Sequence, residues 1–159
     1  MKVRIGFGLG TLGAAVDACS FAAVVDALED LGFDSLWVSE RATGPTLDPL
    51  VALGVAAGRT RRLKLGTSVQ VLPGRNPVLL AKEWASLDVL SGGRALPAFG
   101  LGVVDPVEQQ AFGVAREERA AWFDEALGVI RRLWTEPTID HAGPRFRYTG
   151  MGIGIRPVR

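Results

Sequence analysis

LKLGTSVQVLPGRNPVLLAKEWASLDVLSGGRAL, from Leu63 to Leu96, holds in order an apolar strand, a Pro/Gly/Asn-rich loop, a helix, a Ser-Gly-Gly stop and the start of another strand. Asn76-Pro77 is a cap followed by proline at the first helical position, where a missing N–H does no harm. Leu80, Trp84, Leu87 and Leu90 then supply the spacing of one helical face. Leu63 to Val71 is short and continuously apolar enough for a buried strand.

The same grammar recurs on both sides. Val3 to Leu9 predicts the first strand, broken by Gly8, Gly10, Thr11 and Gly13. Ser20 is the expected N-cap of a helix carrying Phe21, Val24, Val25, Leu28 and Leu31, with Gly32 as its stop. Phe33 to Ser39 is the second strand. Asp48-Pro49 starts a second helix that runs to about Arg59, with Leu50, Leu53 and Ala57 inward. Arg94 to Leu101 is the fourth strand, with an irregularity expected at Pro97 because proline removes a ladder donor. Asp105-Pro106 reads as part of a loop, and a fourth helix spans Glu117 to Trp134 with Trp122, Ala126, Ile130 and Leu133 inward. The tail from Thr138 to Arg159 predicts a hairpin or an extended arm of the same domain.

Alternating strands and helices of crossover length argue for parallel strands with right-handed connections. The class is therefore α/β, and two architectures fit: a (βα)4 half of a (β/α)8 barrel, or a small doubly wound sheet. A closed barrel takes about 250 residues, and these 159 residues reach four βα units.

Composition narrows the function. With 48% hydrophobic and 22% charged residues the chain has the balance of a globular protein. A net charge of +1 gives no basic surplus for nucleic acid. No run approaches the roughly eighteen apolar residues of a membrane span, and the start reads as a strand rather than a secretion signal, so cytoplasm is the expected compartment. Cys19 is the only cysteine and is expected to be packed in the interior; His141 is the only histidine and lies in the tail. An intrachain disulfide and a cysteine-based metal cluster are thereby excluded, and a Ser/His/Asp triad or a histidine-based metal site is not expected.

Ligands of parallel sheets meet the carboxyl ends of the strands. Gly8-Leu9-Gly10-Thr11, Ser39-Glu40-Arg41, Ser68-Val69-Gln70 and Gly100-Leu101-Gly102 stand there. Gly8-x-Gly10-x-x-Gly13 satisfies the dinucleotide fingerprint, which also wants an acid at the end of the second strand about twenty residues on. Asp34 has that spacing but stands at the strand's start, and Glu40 stands at its end but too far on. Glu40-Arg41 reads either as an exposed ion pair or as a carboxylate at the mouth of the sheet. Arg75, near the start of the third helix, is placed to meet an anion. The tryptophans fall at core spacing. A polar, glycine-lined mouth without a nucleophile suits an enzyme whose cofactor carries the chemistry.

Five blocks in order carry a resemblance: GFGLG, LGFDSLWVSER, LKLGTSVQVLPGRNPVLLAKEWASLDVLSGGR, GLGVVDPVEQQAFGV and ERAAWFDEALGVIRRLW. Together they resemble the bacterial luciferase-like flavin and deazaflavin oxidoreductases, over nearly the whole chain, and are most similar to members that use coenzyme F420. The resemblance implies a luciferase-like (β/α)8 barrel of which this chain is the first half. It implies hydride transfer at a coenzyme F420 ring, with FMN as the alternative, bound at the strand carboxyl ends. Residue by residue, it implies Gly8 and Gly10 at the first strand and Glu40 at the ring's polar edge. Ser68-Val69 matches a site that often carries a non-proline cis peptide bulging against the ring. Gly100 and Gly102 match glycines that let the cofactor pass close to backbone.

Two departures stand out. Some deazaflavin enzymes of this kind have a histidine where this chain has Arg41, and some have an acid where it has Val103. Proton transfer by those groups is not implied, and action on a sugar phosphate is disfavoured. An open four-strand sheet leaves two edges and an inner face exposed, so a homo-oligomer is implied, two copies supplying eight strands. The expected partner is otherwise a small-molecule substrate, with neither nucleic acid nor membrane. The competing expectations are a half-barrel that folds and assembles without catalysis, and an NAD(P)-binding sheet.

Overall fold

A computed structural model describes residues 3–10 and 17–158; Thr11 and Gly13, and with them the third glycine of the fingerprint, lie outside the described residues. The first three strands are β1 (Gly6–Gly8), β2 (Ser35–Val38) and β3 (Lys64–Thr67), separated by α1 (Ala18–Asp30) and α2 (Pro49–Arg59). The third strand resumes as β4 (Gln70–Val71) before α3 (Pro77–Ser91). The fourth strand is split into β5 (Ala95–Leu96) and β6 (Phe99–Gly100), followed by α4 (Pro106–Phe112) and α5 (Arg119–Thr135). A hairpin of β7 (Ile139–Ala142) and β8 (Arg147–Met151) follows.

The order β1-β2-β3-β5, all parallel, decides between the two architectures. A doubly wound sheet reverses its strand order at a switch point, where a dinucleotide binds. Here each strand lies beside its predecessor, as around a barrel wall, so the Rossmann-type expectation fails on topology. The second short sheet, β4 beside β6, carries the third and fourth strands onward in parallel past their breaks. The break expected at Pro97 is present. The break at Ser68-Val69 divides the third strand, which the sequence reads as continuous, and that peptide is cis.

Helices cover one face of the sheet. Leu36, Val38 and Leu65 are buried against Val25 and Leu28 of α1, Leu53 and Ala56 of α2, and Leu80 and Trp84 of α3. Burying a leucine of this kind contributes about 1.5–3 kcal/mol. Arg94 ties the base of the sheet together: its guanidinium donates to the Ser91, Leu63, Ala57 and Thr60 carbonyls and to Thr60 Oγ1, at 2.6–3.1 Å. The opposite face is open. Gly6, Ser35, Trp37, Lys64 and Leu96 line a concavity of about 530 Å³ there. The Trp37 ring lies across Gly6 and Gly66, where added Cβ atoms would fall 2.8 Å and 2.5 Å from it. Trp37 is therefore a residue of the open face, not of the core expected for it.

Local expectations are corrected in five places, the first at Leu31, which is 76% exposed because it stands at the C-cap of α1, past the last inward turn. Asp17, not Ser20, caps α1, its Oδ1 accepting from the Cys19 and Ser20 N–H groups at 2.8 Å. The helix thus begins a turn early, and Cys19 is exposed in that turn, ahead of the inward row that starts at Phe21. Leu90 is 82% exposed, because α3 is apolar nearly all round and its buried row runs through Trp84, Leu87 and Ser91 instead. Asp105-Pro106 opens a helix rather than a loop, with Asp105 Oδ1 accepting from Val107 N–H at 2.9 Å.

The hairpin docks on α5 through Glu125, whose Oε1 accepts from the Phe146 N–H at 3.0 Å and the Arg145 N–H at 3.2 Å and meets His141 Nε2 at 3.0 Å. Burial works to raise the Glu125 carboxyl, but His141 and the two backbone donors outweigh it and hold it below the ordinary glutamate range. A depressed carboxylate contributes stability above its unfolded pKa, and that contribution is lost as pH falls through the folded value. Glu125→Ala should therefore cost about 2 kcal/mol at pH 7, since it strands buried donors. In urea unfolding at stepped pH, the gap between variant and parent should begin to narrow as pH falls through about 4 and go on narrowing below it.

Candidate functional site

The carboxyl ends of the four strands form one rim. The parallel register pairs Gly8, Trp37 and Gly66 in one layer, and past the strand ends Gly10 and Ser39 stand together in the lining of one small cavity. Ser39 Oγ donates to the Ser68 carbonyl at 2.9 Å, and the Glu40 N–H to the Val69 carbonyl at 3.3 Å. Ser68 and Val69 are exposed on this rim. Beyond them Gln70 N–H finds the Ala98 carbonyl at 2.9 Å, and Leu72 N–H the Gly100 carbonyl at 3.1 Å. Thr67 Oγ1 bridges the break in the fourth strand, donating to the Ala98 carbonyl at 2.7 Å and accepting from its N–H at 3.0 Å.

The glycines divide into two kinds. A side chain at Gly8 or Gly10 would meet nothing within 4 Å, so both leave open space on the rim; Gly10 also sits at φ +66°. The space in front of Gly100 is taken by Val69, whose Cγ2 lies 2.5 Å from where a Cβ would stand. In front of Gly102, at φ +83°, stand Arg119 and Val71. Glycine at 100 and 102 thus lets the protein's own side chains close on the fourth strand.

Glu40 and Arg41 do not pair with each other. Glu40, with its side chain 5% exposed, accepts from the Val71 N–H at 2.7 Å and pairs with Arg75. Burial pushes its carboxyl above the ordinary range, against the opposing pull of the Val71 N–H and the Arg75 charge. Arg75 also donates to the Val71 carbonyl at 2.9 Å and lies 5.9 Å from the Phe112 ring centroid. It is held within the protein rather than free for an anion. Arg41 reaches across to α4, meeting the buried Glu108 at 2.6 Å and Asp105 at 3.4 Å, while Glu108 also accepts from the Ala42 N–H at 3.3 Å.

Sequence reasoning had no warning of Glu108, whose partners lie 66 and 67 residues away, or of Arg119, whose partners are backbone carbonyls that no side-chain pattern marks. The start of α4 was signalled, by the same Asx-Pro pair that opens α2 and α3. Among the described residues, no group of three or more His, Cys, Asp or Glu is placed to hold a metal ion. No helix among them is long and apolar enough to cross a membrane.

Gly74 is where the third loop meets α4. Its φ is +88°, and a Cβ there would lie 2.0 Å from the Phe112 carbonyl oxygen. Gly74→Ala should destabilise by at least about 2 kcal/mol, from overpacking and left-handed strain together. Gly113→Ala, at φ +63° but facing open space, should lose only about 1 kcal/mol. Denaturant titration of the two variants checks the difference.

A sequence profile of the luciferase-like monooxygenase family matches residues 4–159. An F420-dependent glucose-6-phosphate dehydrogenase of Kineococcus radiotolerans is 32% identical over 139 residues, covering 81% of this chain and 41% of its own length. The crystal structure of monooxygenase RslO1 from Streptomyces bottropensis superposes with a TM-score of 0.89 at 30% identity, over 99% of this chain and 50% of that one. The oxygenating constituent of 3,6-diketocamphane monooxygenase from Pseudomonas putida, solved with FMN, shares the fold at a TM-score of 0.82 and 21% identity, over 93% of this chain and 43% of that one. The chain spans about half the length of the relatives it matches. With its strand order, its rim and these likenesses together, the chain belongs to the luciferase-like monooxygenase family.

Proposed function

We propose that this chain supplies the first-half rim of a luciferase-like oxidoreductase site for a deazaflavin ring, that of coenzyme F420, with FMN as the alternative. The observation that carries the reading is the open, glycine-lined ledge at one end of the sheet. Gly8 and Gly10 leave clear space there, beside the exposed Ser68-Val69 bulge. A flat ring needs such close backbone approach, and a side chain on either glycine would obstruct it. The kinship with an enzyme named for F420 and the shared fold of one solved with FMN support both cofactors.

When bound, such a ring supplies hydride transfer. The residues of this chain then have distinct tasks. Gly8, Gly10, Ser68 and Val69 form the surface the ring lies on. Gly100 gives Val69 room to pack down, and Gly102 does the same for Arg119. Glu40 is a positioning residue: it holds β4 and Arg75 in place and orients the bulge. Arg41 has its guanidinium engaged by Glu108 and Asp105, and Val103 has no proton to give. Proton transfer in the reaction is therefore assigned to neither position.

We also propose that the chain works as an oligomer, a dimer in the simplest case. The edge formed by β1 and the concave face are uncovered among the described residues, and strands from another copy would cover them. One observation favours the non-catalytic reading instead: Arg41, Arg75 and Arg119 are all held by the protein's own carboxylates or carbonyls, so none of the three is free to hold a cofactor's phosphate tail.

Spectral titration of the purified chain with coenzyme F420, FMN and NADP, alongside light-scattering mass, tests the reading. Micromolar binding of a deazaflavin or flavin ring by a dimer is expected. Gly8→Val should weaken that binding at least about tenfold, a loss of about 1.4 kcal/mol, while leaving the melting temperature unchanged, because its side chain enters open space. A folded chain that binds neither ring would leave the non-catalytic half-barrel standing. NADP binding alone would overturn the ring assignment.

A further inference from the structure

We infer that Thr67 is the positioning residue of the rim: its hydroxyl takes the place of its own carbonyl in the bonding to the fourth strand, and so fixes how far Ser68-Val69 stands out of the sheet. This role rests on the rim being the ring site, and it names the group that sets the height of the ledge there.

The register shows where the ledge comes from. Gly66 lies opposite Leu96, and Gln70 lies opposite Phe99. Between those two pairs the third strand advances four residues and the fourth strand three, so the third strand carries one residue too many, as at a bulge. Below the break, the Leu65 N–H donates to the Arg94 carbonyl at 2.9 Å. Continued without a break, that parallel ladder would bring the Ala98 N–H to the Thr67 carbonyl and the Val69 N–H to the Ala98 carbonyl. Both bonds are displaced. The Ala98 N–H goes to Thr67 Oγ1 at 3.0 Å, and the Ala98 carbonyl accepts from the Gln70 N–H, one residue late, at 2.9 Å. The same Oγ1 donates to that carbonyl at 2.7 Å. Ala98 is thus gripped by the residue before the ledge and by the residue after it.

The residue type follows from that task. Pro97, just ahead of Ala98, has no N–H with which to hold this stretch of the fourth strand to its neighbour. The N–H and the carbonyl of Ala98 need one group that accepts and donates at once, which a hydroxyl does. A β-branched side chain is stiff at χ1, and Thr67 is fully buried, so its oxygen is held in one place.

Ser68 and Val69 stand exposed beyond it. The second strand holds their carbonyls through Ser39 Oγ and the Glu40 N–H. The Val69 side chain is seated against Gly100, in the segment β6 that begins directly after Ala98. Whatever fixes Ala98 therefore fixes the seat on which Val69 rests, and with it the surface offered to a ring.

Amide exchange and methyl NMR on the chain alone, beside spectral titration with coenzyme F420 and FMN, test the role. Thr67→Val keeps the shape and removes the oxygen; Thr67→Ser keeps the oxygen. In Thr67→Val the Ala98 amide should exchange at least about tenfold faster, since its acceptor is gone, and the Val69 methyl signals should move. Ring binding should weaken about tenfold with them. Thr67→Ser should bring Ala98 protection and ring affinity back to within about threefold of the parent. Val129→Ala, which empties a buried position in the second half of α5, should lower the melting temperature yet bind the ring as the parent does, separating position from overall stability. An Ala98 amide equally protected in Thr67→Val, ring binding unchanged by it, or a serine variant no better than the valine one would each overturn the role. Should Thr67→Val not fold, the unaltered chain carries the test. A Thr67 hydroxyl proton slow to exchange and close to the Ala98 amide supports the role, and one exchanging freely with solvent overturns it. If neither ring binds the unaltered chain, the ring site falls, and the Ala98 amide and Val69 methyls alone decide whether Thr67 sets the ledge.

Discussion

The site depends on the carboxylate of Glu40. It stands at the end of the second strand, nearly buried, and binds two things at once: the Val71 N–H of the third strand and the guanidinium of Arg75 in the loop that follows. Taking a carboxylate out of water raises its pKa, and an unpaired buried charge is expensive. The arrangement is stable because a backbone donor and a cation meet the two oxygens separately. The consequence is structural. With Val71 fixed from one side, the strand can leave the sheet at Ser68-Val69 and rejoin it at Gln70, where the backbone pairs again with the fourth strand.

A second layer of charge extends this anchoring to the other loops. Arg41 carries the end of the second strand across to Glu108 and Asp105 on α4, and Arg75 faces the Phe112 ring at that helix's far end. Three loops from successive strands are thus tied by carboxylate–guanidinium contacts that are partly or wholly withdrawn from water. Such contacts weaken less with salt than surface pairs do, and they fix the loops against one another. The same engagement takes Arg41 and Arg75 away from solvent, so the two guanidiniums serve the loops rather than a ligand.

How much of this was legible in the sequence follows from the range of the interactions. The βα alternation, the starts of α2 and α3 and the irregularity at Pro97 are local matters of capping and proline chemistry, and they are found where the sequence places them. The start of α4 carried the same Asp-Pro signal, but a helix of seven residues has too little periodicity to stand out. Asp17 caps α1 in place of Ser20 because an aspartate is as good a cap as a serine, and which of them is used turns on which apolar row reaches the sheet. Leu90 was misplaced because a helix apolar on most sides has no unique inner face. The pairings of Glu40 with Arg75 and of Arg41 with Glu108 span 35 and 67 residues, and no periodicity records such a choice. Ser68-Val69 was marked only through the family resemblance; strand propensity alone predicts an unbroken run there.

Arg119 shows how far the fourth loop is organised around its own interior. Its guanidinium is buried with no carboxylate partner among the described residues, one nitrogen bonding the Leu101 carbonyl at 3.0 Å and another the Val114 carbonyl at 3.1 Å. The remaining nitrogen is buried and unbonded. Neutral carbonyls compensate a charge less well than a carboxylate would, so this arrangement is not the one that stability alone would choose. It does bring the two ends of the loop, before and after α4, onto one rigid group. That closeness is possible only because residue 102 is glycine: a Cβ there would stand 2.9 Å from the Arg119 guanidinium. The glycine read at first as clearance for a ligand is equally the opening through which the protein holds its own loop.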